Sequence, residues 1–355
     1  VSLDRRYVAA LLISALVCGG AAPATTQPIL TLTAVDQPLE MNRAAAPLSD
    51  WLKAFAEPPE KFTYTRQLRD IEEGYRLDRI IFPSPFKSPV PQNNIVPAEI
   101  YLPVTQQPGK IPAAVVLDIL HGDGAIARSL AISLAGHGVA AMYFPMAYYG
   151  PRRSSSSGTL RILGDDPGRS VDALRQTVMD IRRAKVILAS QPEIDPNQIG
   201  ITGVSLGGIV TALAAGVDGT FNRVAPILAG GDLAGLTFKS PEARHVRAEL
   251  EAKQIDQQTL ETIFAPVEPL NFAARIDPAK CLMINALNDE VIPRVFTDRL
   301  AAAIGNPTVL WLPAGHYSTI FFLATVQRTA ASFLLGNRVD RLLYGSFTPP
   351  PAPSR

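Results

Sequence analysis

Gly203-Val204-Ser205-Leu206-Gly207-Gly208 is the stretch on which the reading of this chain turns. Gln198-Ile199-Gly200-Ile201-Thr202 leads into it as a short apolar run, the pattern of a buried strand. An alanine-rich apolar run over residues 209–215 leads out of it, the pattern of a helix. A serine between glycines at a strand-to-helix junction sits on a turn too tight for bulky neighbours. The free N–H groups and the positive dipole end of that helix then face the hydroxyl. Three fixed residues are a weak signal alone, so the weight falls on what accompanies them.

Two further strand-like runs end in titratable residues. Cys281-Leu282-Met283-Ile284-Asn285-Ala286-Leu287 runs into Asn288-Asp289-Glu290-Val291-Ile292-Pro293. Thr308-Val309-Leu310-Trp311-Leu312-Pro313 runs into Ala314-Gly315-His316-Tyr317. Serine, carboxylate and histidine thus follow three strands, in that chain order. A hydroxyl is a poor nucleophile at neutral pH. An imidazole, with an ordinary pKa near ~6.5, can take its proton during attack and return it to the leaving group. A carboxylate on the far ring nitrogen fixes the tautomer. Ser205, Asp289 and His316 are therefore the candidate catalytic residues, with Glu290 as a rival acid. The other histidines are placed less well: His137 precedes Gly138 at a helix end, His245 lies in a charged helical stretch, and His121 lies in a loop.

That loop, His121-Gly122-Asp123-Gly124, follows Ala113-Ala114-Val115-Val116-Leu117-Asp118-Ile119-Leu120, which reads as another strand. Together these motifs resemble the α/β-hydrolase superfamily over residues 95–336. Ser190-Gln191-Pro192-Glu193-Ile194-Asp195-Pro196-Asn197-Gln198-Ile199-Gly200 is similar to the approach to the nucleophile in dienelactone-hydrolase-like esterases and prolyl-oligopeptidase-type peptidases. Residues 288–293 are similar to their acid loop and residues 314–316 to their histidine loop. The resemblance implies an α/β fold with a mostly parallel central sheet, helices on both faces and a small helical lid. It favours Asp289 over Glu290 as the acid. It implies an oxyanion hole built from the backbone N–H of Leu206 and that of Asp123, with Gly122 as second choice, and it implies no metal or organic cofactor. His121-Gly122-Asp123-Gly124 departs from the His-Gly-Gly-Gly of lipase-like esterases, which disfavours that subfamily.

Tyr148-Tyr149-Gly150-Pro151-Arg152-Arg153 follows a strand predicted over residues 139–144, on the same sheet edge as the candidate triad. Tyr148, Tyr149, Arg152 and Arg153 are candidate pocket residues, the arginines able to meet an acidic substrate group. The competing reading is an arginine that pins the loop by hydrogen bonds. Ser154-Ser155-Ser156-Ser157 carries no chemistry of its own.

The chain has 355 residues, 47% of them hydrophobic and 18% charged, enough for one large α/β unit with additions. With 33 basic and 32 acidic residues the net charge is +1, which offers no field to attract nucleic acid. Arg5 and Arg6, an apolar run over residues 7–17 and Gly19-Gly20-Ala21-Ala22-Pro23-Ala24 form the pattern of an export signal, cleaved after Ala22 or Ala24. The apolar run is too short to span a bilayer, and no other segment reads as an integral membrane span. The expected location is periplasmic or secreted, with a lipid anchor at Cys18 as an alternative. Cys281, the other of two cysteines, reads as a small core residue.

The predicted order is a signal peptide over residues 1–24, then an N-terminal extension over 25–97 that opens irregularly and carries antiparallel strands. An α/β-hydrolase unit follows over 98–344, with a lid at 231–275 that includes helical periodicity over 242–265. A Pro-rich, disordered tail closes the chain over 345–355. Residues 321–335 read as a buried closing helix. The leading function is an exported serine hydrolase acting on a small-molecule acyl ester. A serine peptidase of the prolyl-oligopeptidase type and a non-catalytic binding protein on the same fold stand as alternatives.

Overall fold

A computed structural model describes residues 27–41, 47–56, 58–104, 109–153, 162–337 and 339. The expected signal peptide, the four serines at 154–157 and the expected tail lie outside the described residues.

The chain opens with β1 (Leu30–Val35), a short helix α1 (Leu48–Lys53), and the hairpin β2 (Lys61–Glu72) and β3 (Tyr75–Pro83). The hairpin turns at Glu73-Gly74, where Gly74 takes φ +102°, a value glycine reaches without steric cost. β4 (Ile95–Pro103) completes an antiparallel run, and from β5 (Ile111–Leu117) strands and helices alternate. They are α2 (Ala125–Gly136), β6 (Ala140–Tyr143), α3 (Pro167–Ala189), β7 (Ile194–Val204), α4 (Leu206–Asp218) and β8 (Val224–Ile227). Four helices then interrupt the alternation: α5 (Leu233–Lys239), α6 (Arg244–Ala252), α7 (Gln257–Phe264) and α8 (Pro269–Phe272). It resumes with β9 (Leu282–Ala286), α9 (Arg294–Ile304), β10 (Thr308–Leu312) and α10 (Leu323–Leu334).

All ten strands form one sheet in the order β1-β2-β3-β4-β6-β5-β7-β8-β9-β10. The pairing is antiparallel from β1 to β6 and parallel from β6 to β10. The two-residue period of β5 divides its side chains between two cores. Ala113, Val115 and Leu117 join the face covered by α3, α4, α8 and α9, while Ala114 and Val116 join the face covered by α2 and α10. Helices on both faces are what an apolar parallel sheet requires. The N-terminal strands are tied to this body by Arg183 of α3. Its guanidinium bonds Asp36 and the Pro83 carbonyl (2.9 Å) and lies 4.2 Å from the centroid of the Phe62 ring.

Several predicted features are corrected. The lead-in before residue 60 contains β1, whose largely exposed Leu-Thr-Leu-Thr-Ala-Val carries too little apolar signal to stand out. β5 ends at Leu117, three residues before the predicted Leu120, because the Asp118 carboxylate turns the chain by accepting the amides of Gly124 (2.7 Å) and Ala127 (3.3 Å). The helical periodicity over 242–265 divides into α6 and α7. Gln254 takes φ +59° between them and Asp256 caps α7 by accepting from the Thr259 amide at 2.8 Å. The run over 321–335 begins with a 3-10 turn, Tyr317–Phe322, and Phe321 is 81% exposed, so the buried helix starts two residues later than predicted.

The stems of the α5–α8 excursion are fastened together by one side chain. Glu268 accepts from the amides of Asp232 (2.8 Å) and Leu233 (2.7 Å) at its start and of Leu270 (3.0 Å) at its end. Burial raises the Glu268 carboxyl above its ordinary range, and the three amides oppose that rise.

The first turn of α4 packs against two strand ends through glycine. A Cβ on Gly207 would lie 2.5 Å from the Asp118 carbonyl oxygen, and one on Gly208 would lie 2.4 Å from that of Ile227. Both neighbours are backbone and cannot yield cheaply. Gly207→Ala should therefore destabilise the fold by about 1–3 kcal/mol in denaturant unfolding. Gly136, in the last turn of α2, has no atom within 4 Å of its Cβ position, so Gly136→Ala should stabilise by about 0.5–1 kcal/mol. Equal effects at the two sites would contradict the packing described here.

Candidate active site

Five loops meet at the C-terminal edge of the parallel strands, as in open α/β sheets generally. β7 delivers Ser205 at φ +56° and ψ −117°, a conformation that costs a non-glycine residue energy. The Ser205 amide donates to the Ile227 carbonyl of the neighbouring strand at 2.9 Å, and its carbonyl accepts from the Ile209 amide one helical turn on, also at 2.9 Å. The serine is thereby fixed before any ligand arrives.

β9 and β10 deliver the other two groups. His316 Nε2 lies 3.0 Å from Ser205 Oγ, and His316 Nδ1 lies 2.8 Å from Asp289 Oδ2 and 3.0 Å from Oδ1. The Asp289 side chain is 2% exposed and the His316 side chain 9%. Asp289 is oriented in turn by the amides of Val291 (2.9 Å) and Ile292 (2.7 Å), both donating to Oδ1. That carboxylate therefore accepts from the ring and from two backbone donors, which suits an ionised acceptor. A Ser Oγ bonded to one ring nitrogen, with a buried carboxylate on the other, is an arrangement able to activate the hydroxyl as a nucleophile. Glu290 makes no contact with the ring; its carboxylate accepts the backbone amide of His316.

The loop after β5 narrows the choice of oxyanion donors. The Gly122 amide donates to the Ile119 carbonyl at 3.2 Å, which withdraws the second-choice donor. The Gly124 amide is held by Asp118, and the His121 amide donates to the Tyr149 hydroxyl at 3.2 Å. Among the described residues the amides of Leu120 and Asp123 carry no hydrogen-bond partner, which leaves both open as candidate donors. The sequence does not offer Leu120 as a donor, because its apolar run reads as strand through that residue while the strand ends at Leu117. Leu206 opens α4, where an amide has no acceptor within the helix. Burial raises the Asp118 carboxyl above its ordinary range, and the loop amides it accepts pull the other way.

The candidate pocket residues divide. Arg152 is corrected: it is 0% exposed and cannot reach a substrate. Its guanidinium bonds Asp180 Oδ2 (2.7 Å), the Asn93 carbonyl (2.7 and 3.2 Å) and the Pro145 carbonyl (3.1 Å). Tyr148 is also buried, at φ +65°, with its amide donating to Asn93 Oδ1 at 2.8 Å. Asn93 itself donates to Gln176 Oε1 at 2.5 Å. Apart from Pro145, seven residues from Arg152, these partners lie 28 to 83 residues apart in the chain, and no local pattern connects them. Tyr149 is the member of the set that touches the loop after β5, through its hydroxyl, and Arg153 is exposed. Cys281 is buried in the core, its thiol pushed up to about 12 by burial. Among the described residues no group of three or more His, Cys, Asp or Glu is placed to hold a metal ion, and no helix is long and apolar enough to cross a membrane.

Known structures share this arrangement of strands. The chain aligns over 85% of its length with 99% of acetyl xylan esterase 1 from Thermoanaerobacterium sp. JW/SL YS485, at a TM-score of 0.64 and 15% identity. It aligns equally far with 97% of the acetyl xylan esterase of Paenibacillus sp. R4, at a TM-score of 0.65 and 19% identity. The fold is that of the α/β-hydrolases. An acylaminoacyl peptidase of Pyrococcus horikoshii also matches: 79% of this chain aligns with 46% of it, at a TM-score of 0.53 and 16% identity. No protein-family model matches the chain. Among curated proteins, "Uncharacterized protein Rv2627c" of Mycobacterium tuberculosis (strain H37Rv) is 27% identical over 178 residues. That stretch is 47% of this chain and 40% of the relative's length, so the chain matches less than half of the curated protein.

Arg152 generates a direct test. Removing one partner of a buried ion pair typically costs about 3–5 kcal/mol, because the other charge stays buried and unpaired. Arg152→Ala should therefore lower unfolding stability by that order, and Arg152→Met combined with Asp180→Leu should recover much of it. An Arg152→Ala protein that unfolds like the parent, but has lost a preference for acidic esters, would restore the pocket reading.

Proposed function

We propose that this protein is a serine hydrolase that cleaves carboxylic esters through an acyl-enzyme on Ser205. The observation that carries the proposal is the continuous hydrogen-bonded line from Ser205 Oγ through the His316 ring to the buried Asp289 carboxylate. Ser205 Oγ attacks the ester carbonyl carbon while His316 Nε2 takes the hydroxyl proton. The tetrahedral oxyanion is held by the Leu206 amide and by that of Leu120 or Asp123, donors that gain most when the charge develops. Collapse breaks the bond to the alcohol oxygen, which leaves with the proton from His316. Water then repeats the sequence on the acyl-enzyme and releases the carboxylic acid. Throughout, Asp289 keeps the proton on Nδ1 and stabilises the imidazolium.

The ester reading is favoured over the peptide reading by how the chain corresponds to its structural neighbours. It accounts for 99% and 97% of the two acetyl xylan esterases but only 46% of the acylaminoacyl peptidase. An exported location is part of the proposal and rests on Arg5, Arg6 and the apolar run after them. The non-catalytic reading has no observation in its favour, given a serine already hydrogen-bonded to its base.

Ser205→Ala should abolish hydrolysis of short acyl esters while leaving circular dichroism unchanged. Asp289→Asn should slow turnover by up to ~10⁴-fold, since the ring would then favour the wrong tautomer. Parallel assays on acyl esters and aminoacyl amides should show turnover of the esters; faster turnover of the amides would favour the peptidase. Unchanged rates in Asp289→Asn would show that a different carboxylate orients His316.

A further inference from the structure

Asp289 and Glu290 are consecutive carboxylates, and both end on His316. We propose that Glu290 is a positioning residue that holds the backbone of His316 while Asp289 holds its ring. The inference rests on the reading of His316 as the general base.

Three observations carry it. First, the His316 amide donates to Glu290 Oε2 at 3.0 Å. His316 is the residue that caps the 3-10 turn Tyr317–Phe322, where an amide has no acceptor within the turn. A carboxylate at that position meets both the unpaired donor and the positive end of the turn.

Second, the neighbouring glycine is shaped to the contact. A Cβ on Gly315 would lie 2.6 Å from the same Glu290 oxygen. The backbone of Gly315 is not in the left-handed region, so its turn does not demand glycine. A methyl group there would press on the free end of the Glu290 carboxylate, which can move aside only by leaving the His316 amide, and would lie 3.2 Å from the Asn288 carbonyl oxygen.

Third, the rest of the loop is tied by neutral bonds that do not reach His316 itself. The Asn288 amide donates to the Ala314 carbonyl at 3.0 Å, the Gly315 amide to Ser318 Oγ at 2.8 Å, and the Thr319 hydroxyl to the Gly315 carbonyl at 2.9 Å. Glu290 adds the contact made directly to the main chain of His316. Without it the ring remains bonded to Asp289, but the Cα from which it swings is free to shift against Ser205.

Glu290 lies at the exposed surface, so its loss should disturb geometry far more than folding. Displacement of a catalytic group by about 1 Å can cost ~10²-fold in rate. Glu290→Ala in the full chain should lower kcat for a short acyl ester by about tenfold or more, with KM within about twofold of the parent and an unchanged thermal midpoint. Glu290→Gln keeps an oxygen acceptor without the charge and should recover most of the loss. Capture of Ser205 by a fluorophosphonate should slow in Glu290→Ala in step with kcat. Gly315→Ala, whose methyl group displaces the carboxylate, should reproduce the kcat loss even if Glu290→Ala folds poorly.

The proposal is overturned if Glu290→Ala retains kcat within about twofold of the parent, if the loss falls on KM alone, if Glu290→Gln is as slow as Glu290→Ala, or if Gly315→Ala is fully active. Ester hydrolysis that survives Ser205→Ala in the parent would instead remove the serine-hydrolase reading, before any Glu290 variant is compared.

Discussion

The bond from the Ser205 amide to the Ile227 carbonyl holds a non-glycine residue in the left-handed region, and the rest of the site is arranged around that residue. A serine at φ +56° stands up from the end of its strand instead of lying along it. The strain is supportable because the surroundings determine it from several sides. Gly207 brings α4 against the end of β5, and Gly208 brings it against the end of β8. The same close approach brings the start of the Asp118–Gly124 loop against Gly207, two residues past the serine. Stability and chemistry thus share one contact: the packing that locks α4 onto the sheet also aims the serine.

The histidine is built on the opposite plan. Nothing in its backbone is strained, and its placement depends on side chains of the adjacent loop. One carboxylate holds the ring, and the next is proposed to hold the main chain. A base that must accept and return a proton within a single turnover gains from a fixed pivot, because each transfer needs the same short distance. The loop after β5, proposed to hold the oxyanion, follows a third plan. Its amides are largely consumed by Asp118, Ile119 and the Tyr149 hydroxyl, and the two left over face no acceptor of the described residues.

The parts of the site that could be read from the chain are those written in a local pattern. Ser205, Asp289 and His316 each follow an apolar run that ends abruptly, and a run ending in polar residues marks a strand end. The structure brings all three into one hydrogen-bonded line. An arginine that pins the loop is one of the two readings the sequence leaves open for Arg152, and the structure bears that one out; its acceptors, Asn93 and Asp180, have no local signature because they come from distant segments. Leu120 was concealed for a different reason. Apolar residues continue past Leu117, while the turn is made by the Asp118 carboxylate reaching forward to Gly124 and Ala127. Hydrophobic pattern reports burial, whereas a strand's end is set here by a side-chain acceptor that periodicity does not register. β1 escaped because it is an edge strand whose residues are mostly exposed.

The central claim is that Ser205 carries the acyl group between two half-reactions. Rapid-quench mixing with a short-chain aryl ester, followed by peptide mass mapping, tests it most directly. The account predicts a transient acyl adduct on the peptide that contains Ser205, formed with a burst of the aryl alcohol and absent in His316→Ala. An adduct on any other residue, or steady turnover with no adduct and no burst under conditions where the acyl-enzyme should accumulate, would contradict it.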